Sequence, residues 1–187
     1  MLLSDDYQQI DDSWAVDPDR DSVSVEGGKV KIKADRRGHY ELLYNGQLFD
    51  DADYCVTVQN PNNLRDIGDV QVLAGLIFWA ADGSNHYDLQ VAPNGKASVG
   101  RTVKGRWVNP VPWHPFYAVH RGAGAKNMLR VSTRGNLITA YINGQKFATL
   151  KLQVPEGGGL VGFWAQSEKT RRDTWKFFDL KVTEHTP

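Results

Sequence analysis

Residues 84–91 read SNHYDLQV and alternate without a slip. Successive side chains of an extended strand point to opposite faces. Tyr87, Leu89 and Val91 therefore share one side, and His86, Asp88 and Gln90 the other, spaced ~6.5–7 Å apart along the strand. The polar row supplies a titratable donor/acceptor, an anion and an amide that both donates and accepts. Four uses fit that inventory. It suits a solvated outer face, common in antiparallel sheets, or sugar hydroxyls, each able to give and take a hydrogen bond. It suits acid–base catalysis by Asp88 and His86. His86 and Asp88 could also share a metal, although two ligands on one strand are too few to define a site. Arg101 follows Gly100 in the next alternating run, which should pair with residues 86–91. That places it to bridge Asp88 or to orient a ligand.

Aromatic residues form the second set. An indole face stacks on the C–H face of a pyranose while its N–H reaches a hydroxyl. Trp107 and Trp113 lie in the proline-rich stretch KGRWVNPVPWHPF, with His114 beside them, and are the better binding candidates. Trp79 (LIFWA) and Trp164 (VGFWA) sit in apolar runs, where core packing and a groove position are both open. Trp14 and Trp175 are assigned to the core or to edge closure. Retaining glycoside hydrolysis needs two carboxylates about 5–5.5 Å apart. The glutamates in EGGK, HYELL, PEGG and SEKT are isolated along their strands. The three aspartates of FDDADY stand at a strand entry, where turn roles are expected.

The elements that position these residues have a period of two, not 3.6. Strand-like runs are expected at 23–25, 29–33, 40–44, 54–59, 72–80, 86–91, 97–103, 128–133, 137–142, 146–152, 160–165 and 175–182. Gly27-Gly28, Asn45-Gly46, Asn94-Gly95 and Asn143-Gly144 suit tight hairpins. No segment of ten residues carries a helical apolar stripe. About a dozen short strands make an all-β sandwich or barrel with almost no helix. Residues 60–69, 104–116 and 166–174 read as loops, and Pro110, Pro112 and Pro115 exclude a central strand from the second. The 187 residues fit one domain. Lys plus Arg balances Asp plus Glu at 22 each, so no single-sign field draws nucleic acid. No run approaches the ~20 apolar residues of a membrane span. Cys55, the only cysteine, is expected as a buried inert thiol. Walker, GxSxG, HExxH and CxxC motifs are absent.

The order GLIFWAADGSNHYDLQVAPNGKASVGR, a Trp-rich loop, NMLRVSTRGNLITAYINGQKFATL, GGGLVGFWAQS and WKFFDLKV resembles the concanavalin A-like jelly-roll superfamily. Within it, the pattern is similar to a laminin-G-like bacterial branch that includes the 3-keto-disaccharide hydrolase domain. The resemblance spans roughly residues 4–183, and its motifs are mostly hairpin glycines and core aromatics. His86 is a departure, standing where relatives often have an aromatic. The resemblance implies two curved antiparallel sheets, a concave outer groove that sugar-binding members use, and pairing of LLSDDY with FFDLKV. Laminarinase-like members carry E-x-D-x-x-E or a close variant on one strand, and no such acidic set occurs here. No cofactor is required. Calcium is common in relatives, and Asp5, Asp6 or Asp179 would be the oxygen donors of a structural calcium.

The favoured function is a non-catalytic carbohydrate-binding module. Trp107, Trp113 and Trp79 or Trp164 would stack on the sugar, and His86, Asp88, Gln90 and Arg101 would bond its hydroxyls. The alternatives are a glycoside hydrolase of the keto-sugar type with Asp88 and His86 as acid/base residues, and a protein-interaction sandwich. A secreted or periplasmic location is expected if the chain is a processed form, and a cytoplasmic one otherwise, because no signal peptide is seen. The sugar and the oligomeric state are left open.

Overall fold

The computed structural model describes residues 1–9, 12–16, 21–64 and 72–185. Fourteen strands, numbered in chain order, form two antiparallel sheets, with no helix among the described residues. The eight-stranded sheet runs β12 (Gln145–Lys151), β11 (Leu137–Ile142), β10 (Lys126–Arg134), β5 (Ala52–Gln59), β14 (Thr174–Glu184), β3 (Val30–Lys33) and β2 (Val23–Val25). Its eighth strand, β1 (Leu3–Asp5), pairs with the second half of β14, placing Leu3 opposite Val182. LLSDDY thus lies beside FFDLKV, as the resemblance implied. The six-stranded sheet runs β4 (His39–Phe49), β13 (Gly159–Gln166), β6 (Leu73–Asp82), β7 (Asn85–Val91), β8 (Lys96–Val103) and β9 (Arg106–Pro115).

Alternation explains the layering. Tyr54, Val56 and Val58 of β5 face Leu76 and Phe78 of β6 and Leu89 and Val91 of β7 in one buried core. Phe163 of β13 stacks on Phe177 of β14 with ring centroids 4.3 Å apart, joining the two sheets. Trp14 and Trp175 are buried in this core. Asn143 and Gly144 hold φ of 51° and 78° in the β11–β12 turn, the conformation a tight hairpin needs and that asparagine and glycine supply most readily.

Three expectations change. Asn45-Gly46 is not a hairpin: β4 runs through it, and residues 45–48 bulge between the pairs Tyr44–Val161 and Phe49–Gly159. Residues 106–115 are a strand rather than a loop. It is the edge strand β9, where a proline without an N–H leaves no ladder position unfilled on the open side. Cys55 is half-buried on the outer face of β5, opposite Arg130 and Lys181, rather than in the core. Burial still raises its thiol pKa and outweighs the two cations. Of the loop expected at 60–69, residues 65–69 lie outside the described residues.

Candidate functional site

Cross-strand register lays the polar row on a grid. The outer face of the six-stranded sheet presents, in one line, Glu41 (β4), Trp164 (β13), Gly75 (β6), Gln90 (β7) and Ser98 (β8). The adjoining line holds Leu43, Gly162, Ile77, Asp88 and Gly100, and His86 lies opposite Thr102. The glycines are spaces for their neighbours. A Cβ on Gly75 would lie 2.5 Å from Trp164 Nε1, and one on Gly100 would overlap the side chains of Asp88 and Gln90.

This face is strongly concave. His39 and Trp107 sit on β4 and β9, the two edges of the sheet, yet their rings are 5.5 Å apart. Five strand spacings on a flat sheet would separate them by roughly 24 Å. Trp107 also meets Trp164 edge-on at 4.9 Å. The tips of the β6–β7 and β8–β9 hairpins are tied together, with Gly105 N donating to Ser84 O and Lys104 N to Asn85 Oδ1, both at 3.0 Å. A Cβ on Gly83 at the first tip would lie 2.8 Å from Glu41 Oε2, so that tip reaches back toward β4. Curvature, hairpin tips and Trp107 together roof the groove.

Under that roof the polar row is dry. His86, Asp88 and Gln90 are 2%, 1% and 2% exposed, so the row is not a solvated outer face. Gln90 Nε2 donates to Asp88 Oδ1. His86 Nε2 lies 3.2 Å from Thr102 Oγ1 and 3.5 Å from Asp88 Oδ2. Burial disfavours the charged imidazole. The Asp88 carboxylate overcomes this, helped by Glu41 and by a weaker pull from the Asp82 carbonyl, and His86 titrates above the ordinary histidine value. Three buried polar atoms on this face have no hydrogen-bond partner: His86 Nδ1, Gln90 Oε1 and Trp164 Nε1. Such atoms are uncommon in native structures and call for an explanation.

The groove brings together His86, Asp88, Gln90, Trp107, Trp113 and Trp164. Trp113 packs on an apolar cluster of Leu43, Leu73, Ile77, Ala80, Ala92 and Trp164. Trp107 is 39% exposed, whereas Trp164 is 1% exposed. Three expected residues lie elsewhere. Trp79 belongs to the inter-sheet core, with φ of 50° and its indole N–H directed at Asp50 O, 3.3 Å away. Arg101 pairs with Tyr87, not Asp88, because Gly100 takes the position opposite the carboxylate. The expected Arg101–Asp88 bridge is therefore replaced by a guanidinium over the Tyr87 ring and a 3.0 Å bond to Gln153 Oε1. His114 stacks on Phe147 at 5.0 Å. Glu41, the glutamate of HYELL that reads as isolated along its strand, is brought into the electrostatic reach of His86 by the curvature. Its only signal was parity, since it alternates with Tyr40 and Leu42.

Elsewhere, Ser132 Oγ and Asp53 Oδ2 both approach His185 Nδ1, at 3.3 and 3.6 Å. A nucleophilic relay needs the hydroxyl and the carboxylate on different ring nitrogens, so this cluster is not one. Among the described residues no group of three or more His, Cys, Asp or Glu is placed to hold a metal. Asp5 accepts from Tyr7 N and Trp14 Nε1, each at 2.8 Å. No described helix is long and apolar enough to cross a membrane.

This geometry defines a concanavalin A-like jelly-roll sandwich. The laminarinase catalytic domain from Thermotoga maritima MSB8 superposes with a TM-score of 0.71 at 10% identity, covering 100% of this chain and 98% of that one. The Emp47p carbohydrate recognition domain gives 0.70 at 14%, covering 98% and 95%. The carbohydrate-binding module CBM66 from Bacillus subtilis gives 0.64 at 13%, covering 83% and 86%. No protein-family model matches the chain, and no curated protein matches its sequence.

Proposed function

We propose that the chain is a non-catalytic carbohydrate-binding module whose ligand lies on the concave face of the six-stranded sheet. One observation carries this reading. Trp164 Nε1, a donor, and Gln90 Oε1, an acceptor, stand on either side of Gly75, both buried and both unpartnered. A single sugar hydroxyl accepts from the first and donates to the second. Trp107 and Trp113 supply ring faces for stacking once Trp107 swings off Trp164. A carbohydrate-binding module and a carbohydrate recognition domain among the structural neighbours support the same class.

A glycan array with intrinsic tryptophan fluorescence as the second readout tests it. Gln90→Ala and Trp107→Ala should each weaken the best glycan at least tenfold, about 1.4 kcal/mol, and His114→Ala should leave it unchanged. Absence of any glycan ligand, or equal binding by all three variants, overturns the reading.

Glu41 favours a second reading, as a glycoside hydrolase. It gives His86 a second nearby carboxylate besides Asp88. Release of reducing sugar from ordinary or 3-keto glucosides, abolished by Asp88→Asn, would select hydrolysis over binding.

A further inference from the structure

A cavity of about 290 Å³ opens at the end of the sandwich, where the β12–β13 loop crosses from one sheet to the other. Tyr87, Arg101, Val103, Gln153 and Pro155 line it, together with His86 from the end of the concave row. The loop is tied down by Gln153, whose N–H donates to Tyr87 Oη at 3.3 Å and whose Oε1 accepts from Arg101 Nη2 at 3.0 Å.

Arg101 is poised but not neutralised. Its other N–H groups make no hydrogen bond to the described residues, and no described carboxylate lies within ion-pair distance. Glu156, at the exposed side of the same cavity, does not pair with it. Register places Arg106 opposite Val103 and Val108 opposite Arg101, so one face of the β8–β9 hairpin presents Arg101, Val103, Arg106 and Val108 together. Lys104 lies at its turn. Arg106 and Lys104 likewise have no acidic partner among the described residues. The cavity therefore joins a planar cation without a carboxylate partner to a mixed lining, apolar at Val103, Val154 and Pro155 and polar at Asn85 and Thr102.

We propose that this cavity takes the carboxylate-bearing ring of an acidic glycan, a hexuronate, with Arg101 as its counter-ion. The assignment rests on reading the concave face as a glycan surface, since His86 belongs to both. A guanidinium presents parallel N–H groups that match the two oxygens of a planar carboxylate. Tyr87 beneath the guanidinium and Gln153 beside it fix that fork in advance. Val103, Val154 and Pro155 suit the C–H faces of the ring, and Asn85 and Thr102 its hydroxyls.

Calorimetry with an oligogalacturonide, its carboxyl-reduced neutral counterpart and a sulfated neutral oligosaccharide tests the proposal. The oligogalacturonide should bind at least tenfold tighter than the neutral chain, and the margin should shrink as salt rises. Arg101→Gln should erase the margin. Arg101→Lys should keep part of it, because the charge remains and the fork is lost. Equal wild-type affinity for acidic and neutral chains, or a preference that survives Arg101→Gln, overturns the proposal. If neutral binding then still depends on Gln90, the concave-face reading stands alone. Acidic binding that needs Arg101 but tolerates Gln90→Ala keeps the cavity and removes the concave face. Preference for the sulfated chain overturns the carboxylate assignment, and binding of none of the three overturns both.

Discussion

The two sheets carry similar alternating sequences and treat their outer faces in opposite ways. Along β5 the residues are buried and half-buried by turns through all eight positions. Along β7 six consecutive residues are buried. Asp53, Thr57 and Gln59 look out from the eight-stranded sheet, and Arg130 pairs with Asp53 at the surface at 3.0 Å. His86, Asp88 and Gln90 also look out, but into a groove that the curled sheet and its hairpin tips have closed. Leaving a buried donor or acceptor unpaired costs about 1–3 kcal/mol. The concave face holds three such atoms, whereas an exposed face would satisfy them with water at no cost. The difference teaches that parity fixes which way a side chain points, while the curl of the sheet decides whether it meets water.

Substitutions matched across the two faces should break or sharpen that contrast. The largest effect is expected from Trp164→Ala, about 3–5 kcal/mol for an emptied indole site, measured by urea denaturation. Its counterpart Tyr141→Ala on the other face loses mainly the contact with Arg130, whose guanidinium lies 5.1 Å from the ring centre, roughly 0.5–1 kcal/mol. Equal losses would mean that both faces are packed alike. Next comes Gly100→Ala, which forces Asp88 and Gln90 aside and should destabilise by about 1–3 kcal/mol. Thr57→Val on the open face should stay within about 0.5 kcal/mol.

The third test is pH. His86 titrates above the ordinary value of 6.5 in the folded state. Its contribution is therefore complete below pH 6.5 and fades as pH rises through the folded-state pKa. Melting temperature followed from pH 5 to 9 should carry this falling component in the wild type and lose it in His86→Gln. An unchanged profile would show that His86 is not charged in the groove. A small effect is expected for Arg130→Ala. Its side chain is 43% exposed, and an ion pair so placed contributes about 0–1 kcal/mol. That loss should vanish in high salt.

The sequence reveals strands more readily than surfaces. Parity alone put Tyr87, Leu89 and Val91 against the core and the polar row opposite them, because a strand has only two faces. It could not show that Gly100, rather than Arg101, stands across from Asp88. A one-residue difference in register exchanges the faces of every side chain. Proline chemistry ruled 106–115 out of a sheet interior, but not out of an edge. The Asn45-Gly46 pair has the residues of a hairpin, yet its strand continues because β13 pairs on both sides of the bulge.

By itself the sequence determined an all-β sandwich or barrel, the alternation of faces along each strand and the lack of a paired-carboxylate strand. Alternation and turn chemistry are local properties and need no other part of the chain. Only the tertiary structure decided that Glu41 joins His86 and Asp88, that Trp107 crosses the groove to Trp164, and that Arg101 serves a separate cavity. Those contacts depend on how far a six-stranded sheet curls and which hairpins fold over it. Such curvature accumulates from many small twists, and no short stretch of residues records it.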